Sequence, residues 1–196
     1  MNDTSPTEQT VWKQTFQRHA YCYLEPSASS IDLLDIALGL SRTNRFNGHT
    51  TRPLSVAEHS LGVASMVYDR SRNPSLTLGA LLHDAAEAYV SDLPAPLKKL
   101  LGERYRKVES AARVASCEHF NVHEADLVDD VVRQADMDAL ITERDVLMSG
   151  PVKEWGVPGE FNESYADQLK KSAQYNHDYW LKAWLDEVAK YGLTQG

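Results

Sequence analysis

SVAEHSLGVASMV, Ser55 to Val67, decides the fold class. Ser55 and Glu58 stand three residues apart at its head, a capping-box spacing in which each side chain satisfies a backbone N–H at the other's end. The helix so started runs to about Arg70 and is broken by Asn73-Pro74. Downstream, Ser75 to Val90 (SLTLGALLHDAAEAYV) reads as a second helix, and Leu93-Pro94-Ala95-Pro96 as a rigid corner. A short turn over Leu97–Leu101 ends at Gly102, and Glu103–Phe120 is helical again. From Glu124 to Met148, Val128, Val131, Val132, Ala135, Ala139, Leu140 and Val146 keep helical spacing. Gly150–Gly159 is a loop, and Glu163–Tyr191 reads as one long helix with an apolar stripe of Trp180, Trp184, Leu185 and Val188.

Upstream, Ile31–Ser41 has helical spacing and Asn44–Pro53 (NRFNGHTTRP) has loop chemistry. Residues 1–30 form an irregular lead-in with a short helix expected around Val11–His19. No alternating strand pair, internal repeat or low-complexity tract stands out. The expectation is an all-α fold, one domain over residues 31–196, with six or seven helices.

The chain has 196 residues, 42% of them hydrophobic, enough for a sizeable core without disulfide staples. Two cysteines, Cys22 and Cys117, form no C-x-x-C, which argues against thiolate zinc sites. A net charge of −8 repels nucleic-acid polymers and anionic lipid. The first residues, MNDTSPTEQT, lack the order of a signal peptide, and no apolar run reaches membrane-spanning length. A cytoplasmic location follows as the expectation (the host cytoplasm, for a phage-encoded chain), with neither membrane nor nucleic-acid polymer as partner. The charge is uneven. Arg42, Arg45 and Arg52 sit in an acid-free loop, and Pro94–Val114 has six basic residues against two acids. Glu118–Asp145 carries nine acids against two arginines. The two basic stretches are candidates for meeting an anion; most of the acids are expected to be a solvated face.

His83-Asp84 follows an apolar run, Leu78 to Leu82. An isolated His-Asp pair is ordinarily a satisfied core pair, but this one has company. Glu87 follows on the same helical face, and Asp92 stands at the corner before two prolines. His59 interrupts an apolar face in VAEHSLGVA, and Asp136 does so in RQADMDAL. His59, His83, Asp84 and Asp136 together offer two nitrogens and two carboxylates, a set suited to a borderline divalent ion such as Zn, Co or Mn.

The order H…HD…D, with HDAAEAYVSDLPAPLK from His83 to Lys98, resembles the HD-domain metal-dependent phosphohydrolases. It is most similar to their small single-domain branch of bacterial 5′-deoxynucleotidases and phage dATP triphosphohydrolases. NRFNGHTTRPLSVAEHSLGVA (Asn44–Ala64) and ADMDALITERDVL (Ala135–Leu147) match the same branch, so the likeness spans roughly Ile31–Met148. It implies a helical bundle in which His59, His83, Asp84 and Asp136 hold the metal, with Asp138 the rival of Asp136. It places Glu87 and Asp92 as acid/base carboxylates, Arg45 and Lys98 on phosphate, and Phe46 against base or sugar. Phe46 stands where relatives commonly have tryptophan, which touches base selectivity more than catalysis. His49, in the same loop, is either a surface histidine or a phosphate or sugar contact. The implied activity is hydrolysis of a deoxynucleotide, dATP first, to deoxynucleoside and triphosphate. A 5′-deoxynucleotidase acting on dNMPs is the alternative, and an alarmone or signalling-nucleotide hydrolase a more distant one. A nucleotide-binding sensor or interaction module is the non-enzymatic reading, against which the full ligand set argues. Relatives assemble as dimers or hexamers, so a homo-oligomer is expected.

Overall fold

A computed structural model describes residues Val11 to Thr194. The chain is helical as expected, and α2 (Val56–Ser71) is its axis, packed by α1 (Leu33–Arg42), α3 (Pro74–Leu82), α8 (Asp130–Leu147) and α10 (His177–Ala189). Val56, Ala57, Val63 and Val67 of α2 are fully buried, as are Ile36 and Leu40 of α1 and Leu81 of α3. The 18-residue α6 (Glu103–Phe120) and four shorter segments complete the bundle: α4 (Glu87–Val90), α5 (Ala95–Leu101), α7 (Glu124–Leu127) and α9 (Glu163–Lys171). No helix among the described residues is long and apolar enough to cross a membrane.

Local chemistry sets the ends. The Ser55 hydroxyl accepts from the Glu58 amide at 3.1 Å, but the box is only half built. The Glu58 carboxylate instead accepts from both Arg52 Nη atoms, at 2.9 and 2.7 Å, and from Ser172 Oγ at 2.6 Å. A buried ion pair has replaced the reciprocal cap. Asp32, Asn73, Asp129 and Asn176 cap α1, α3, α8 and α10 with their side chains. Gly102 ends α5 at a φ of 69°.

Three expected helices are broken, so the segments outnumber the six or seven read from periodicity. Glu163–Tyr191 divides into α9 and α10 around a 3₁₀ turn at Ser172–Gln174, and Glu124–Met148 into α7 and α8. Ser75–Val90 stops at Leu82, because His83 Nδ1 bonds the Ala80 carbonyl at 2.6 Å. In a continuous helix that oxygen would accept from the Asp84 amide, so the ring competes with the backbone. Tight turns follow, Ala85 N to Leu82 O and Glu87 N to Asp84 O, each at 2.9 Å. The His-Asp pair therefore sits at a helix break rather than mid-helix.

The expected helix at Val11–His19 is also corrected. Trp12–Gln14 (β1) pairs antiparallel with Ala20–Cys22 (β2). Tertiary contact decides it: Tyr21 is fully buried and stacks on Tyr89 of α4 at 4.4 Å, while Lys13 Nζ donates to the Tyr89 carbonyl at 2.9 Å. The hairpin thereby braces α4. From the other side α4 is held by α1, where a Cβ on Gly39 would lie 2.7 Å from Ala88 Cβ and 2.9 Å from Ala88 Cα. The partner is backbone, so relief requires α1 and α4 to part. Gly39→Ala is expected to destabilise by about 1–3 kcal/mol, read as a lower urea midpoint; an unchanged midpoint would refute this tight packing.

Candidate metal and phosphate site

Four elements converge. α2 carries His59, the α3–α4 break carries His83 and Asp84, α8 carries Asp136, and the loop before α2 carries Arg45. That loop is pinned by a bridge between Asn44 and Ser55, by Arg45 N to Leu54 O at 2.8 Å, and by Thr51 N to Leu147 O at 2.8 Å. Phe46 and Asn47 adopt positive φ of 54° and 51°, which turns the chain so that Arg45 points inward.

His59 Nε2 lies 3.3 Å from His83 Nε2, 3.2 Å from Asp136 Oδ1 and 3.6 Å from Asp84 Oδ2. His83 Nε2 is 3.2 Å from Asp84 Oδ2 and 4.0 Å from Asp136 Oδ1. One atom each of His59, His83 and Asp84 falls within 4.8 Å of the other two. The tautomers follow from the opposite ring edges. His59 Nδ1 meets Glu143 Oε1 at 2.7 Å, and His83 Nδ1 meets the Ala80 carbonyl. A carboxylate and a carbonyl can only accept, so both Nδ1 atoms donate and both Nε2 lone pairs face the cluster. Two lone pairs converging beside two carboxylates call for a cation. Burial and Arg45 oppose the His59 imidazolium, yet Glu143 and Asp136 prevail and push its pKa up to about 10. The donor set fits a borderline divalent transition metal.

Asp136 and Asp138 now separate. Asp138 is engaged by Arg70 at 2.5 Å, Gln134 Nε2 at 2.8 Å and the Glu160 amide at 2.7 Å, on a different face of α8. It anchors the 150–162 loop, while Asp136 faces His59.

Around the cluster, Glu87 is buried, with Oε1 accepting from Lys98 Nζ at 3.1 Å and Oε2 without a partner among the described residues. Burial and the nearby Asp84 and Asp92 raise its pKa well above the ordinary carboxylate value, although Lys98 and Arg45 pull it down. Asp92 is raised too, by burial and Asp84 against Arg45. Lys98 is less free than its sequence position suggests, since it also donates to Glu109 at 2.6 Å. Phe46 is half-buried, its ring 5.5 Å from the Arg45 guanidinium and 6.1 Å from Trp155. His49 is exposed, and its backbone amide bonds Phe46 O at 2.9 Å. Of the three arginines in that basic stretch only Arg45 joins the site; Arg52 is spent on Glu58, and Arg42, the last residue of α1, is exposed. The basic stretch expected after Pro94 is half paired: Lys98, Arg106 and Arg113 meet carboxylates, while Lys99, Arg104 and Lys107 are exposed.

The residue that sequence reasoning missed is Glu143. It is fully buried and accepts from His59 Nδ1, from Tyr165 OH at 2.8 Å and, on Oε2, from Arg45 Nε at 2.9 Å. Its spacing of seven from Asp136, two helical turns on one face, was the available signal. Asp136→Asn is expected to remove most metal uptake. Asp138→Asn should leave uptake intact and cost about 1–3 kcal/mol. Metal content after dialysis and urea unfolding check both, and the reverse pattern would hand the ligand role to Asp138.

No protein-family model matches the chain. It is similar to the uncharacterised protein YfdR of Escherichia coli, 34% identical over 131 residues, 67% of this chain and 69% of YfdR. An uncharacterised Rhodobacter capsulatus protein is 37% identical over 111 residues, 54% of this chain and 56% of that protein. Among solved structures, the cyanophage S-2L HD phosphohydrolase DatZ, bound to dA and one catalytic zinc ion, superposes with a TM-score of 0.50 at 18% identity, over 82% of this chain and 98% of DatZ. That likeness is one of fold. With 34% identity over more than two thirds of YfdR, the chain belongs to the YfdR family, and it is built on the helical fold of an HD-domain phosphohydrolase.

Proposed function

We propose that the chain is a metal-dependent phosphohydrolase of deoxynucleotides, with dATP cleaved to deoxynucleoside and triphosphate as the first reaction to test. The observation that carries the metal half of this reading is the pair of convergent Nε2 lone pairs, each fixed by a committed Nδ1–H. His59, His83, Asp84 and Asp136 would hold the ion. Bound there, a divalent metal lowers the pKa of a coordinated water and polarises a phosphoryl oxygen.

The chain's own groups do the rest. Arg45 is held through Nε by Glu143 and keeps its Nη atoms for phosphate oxygens, with Nη1 3.7 Å from Asp84 Oδ2. A planar guanidinium so fixed can meet two oxygens at once. Lys98 adds a point charge once it lets go of Glu87 or Glu109. Glu87, with one oxygen buried and unpartnered among the described residues and its pKa raised by burial and by Asp84 and Asp92, is the carboxyl group suited to carry a proton, and Asp92 is its companion in orienting water. Phe46 offers a ring to sugar or base, and His49 a solvent-side contact at most. The DatZ structure contains dA and zinc, which supports a deoxynucleotide as substrate.

A second reading is favoured by one observation. Lys98, the cation of the basic stretch that meets Glu87, is already paired with it and with Glu109. That economy of free positive charge suits a single phosphate, and so a 5′-deoxynucleotidase. Incubation with dATP, dAMP and ppGpp, with zinc, cobalt or manganese, separates the alternatives. Triphosphate from dATP supports the first reading, orthophosphate from dAMP the second, and turnover of ppGpp alone overturns both. His83→Ala and Asp84→Ala are each expected to bring activity to background and to lower bound metal; full activity in either would sink the assignment. A homo-oligomer, dimer or hexamer, belongs to the same proposal and is read from the mass in solution.

A further inference from the structure

The metal cluster and the phosphate-facing arginine share one buried carboxylate. Glu143 has no exposed surface, and its two oxygens meet three donors. Oε1 takes the His59 Nδ1–H and the Tyr165 hydroxyl; Oε2 takes the Arg45 Nε–H. Each partner is held in its turn. Tyr165 is buried against α2, where Gly62, one turn beyond His59, leaves the room its ring needs; a Cβ there would run into that ring. Arg45 is fixed by its backbone bond to Leu54. Glu143 itself rides on α8 two turns from Asp136, so one rigid helix supplies a metal-facing carboxylate and the support behind another ligand. With an N–H or O–H donor on each contact, the Glu143 carboxylate acts as acceptor throughout.

We infer that Glu143 is a positioning residue that ties the metal-facing edge of His59 to the phosphate-facing guanidinium of Arg45, so that one side chain sets both halves of the site. The inference rests on the metal-phosphohydrolase reading above. Glu143 touches neither metal nor phosphate. It acts by fixing the His59 tautomer, which leaves Nε2 as the lone-pair edge, and by holding Arg45 through Nε, which leaves the Nη pair for oxygens. Glutamine is nearly the same size but has one acceptor oxygen. In Glu143→Gln, either the His59 Nδ1–H or the Arg45 Nε–H must then face an NH₂ group, and that partner turns away.

The test measures cobalt(II) affinity by visible absorption and, at saturating cobalt, inorganic phosphate affinity by calorimetry. Neither readout needs turnover of any nucleotide. Glu143→Gln is expected to weaken cobalt binding by about 10–100-fold and phosphate binding by about tenfold. Tyr165→Phe removes the third donor and leaves the other two bonds, so both affinities should stay within about threefold of wild type. Wild-type affinities in Glu143→Gln, even with a lower melting temperature, would overturn the inference, as would a loss confined to one ligand. Should Glu143→Gln fail to fold, Glu143→Asp keeps the charge on an arm one methylene shorter; both affinities should again fall, and wild-type values would again overturn the tie. Arg45→Met serves as the control: unchanged phosphate affinity there would refute the phosphate role of Arg45, and so the reading beneath, rather than the tie.

Discussion

Two imidazole rings with their Nδ1 hydrogens committed to oxygen acceptors, and their Nε2 atoms 3.3 Å apart, set the constraint on which the structure turns. Such an arrangement is unfavourable unless positive charge lies beside the lone pairs, as a proton or as a metal. The bundle is arranged to impose it. α2 fixes His59 at the centre of the core, Glu143 fixes the ring's tautomer, and the helix break at Leu82 is made by the bond that orients His83. The same bond that aims the second imidazole frees Asp84 and Glu87 to face the cluster.

The parts of this legible from sequence were those governed by neighbours along the chain. The Ser55 cap, the Asn73-Pro74 break, the proline corner before α5 and the glycine that ends it all appear where local chemistry puts them. What escaped was decided across the chain. Nothing between Val11 and Cys22 announces that Tyr21 will stack on Tyr89, and without that contact the segment has no reason to be a hairpin. The Glu58 carboxylate looks like half of a capping box until Arg52 and Ser172 claim it. Helical periodicity runs straight through His83, because a side chain that takes a backbone acceptor leaves no trace in the apolar pattern.

The site residues divide along the same line. His83, Asp84 and Glu87 announce themselves by breaking an apolar run, and His59 and Asp136 by interrupting apolar faces. Glu143 does the same in ALITERDVL, yet an acid in an acidic segment reads as solvated until its partners are seen. Local charge misleads in the other direction as well. Arg42, Arg45 and Arg52 form one basic loop in sequence, but in space they go to solvent, to the cluster and to a buried ion pair.

Charge around the cluster also bears on how an ion and an anion would share it. Asp84, Asp136, Glu143, Asp92 and Glu87 surround it, against Arg45, Lys98 and two imidazoles whose pKa values are raised, so its charges are largely matched within the protein. Both basic side chains are engaged by carboxylates, Arg45 through Nε and Lys98 through Nζ. On the proposed reading a divalent ion held by Asp84 and Asp136 would add positive charge here and relieve the repulsion on Glu87. The two halves of the site would therefore support each other on that reading: an ion on Asp84 and Asp136 would favour an incoming anion, and Arg45, held through Nε by Glu143, would meet that anion with Nη atoms that no carboxylate has to release.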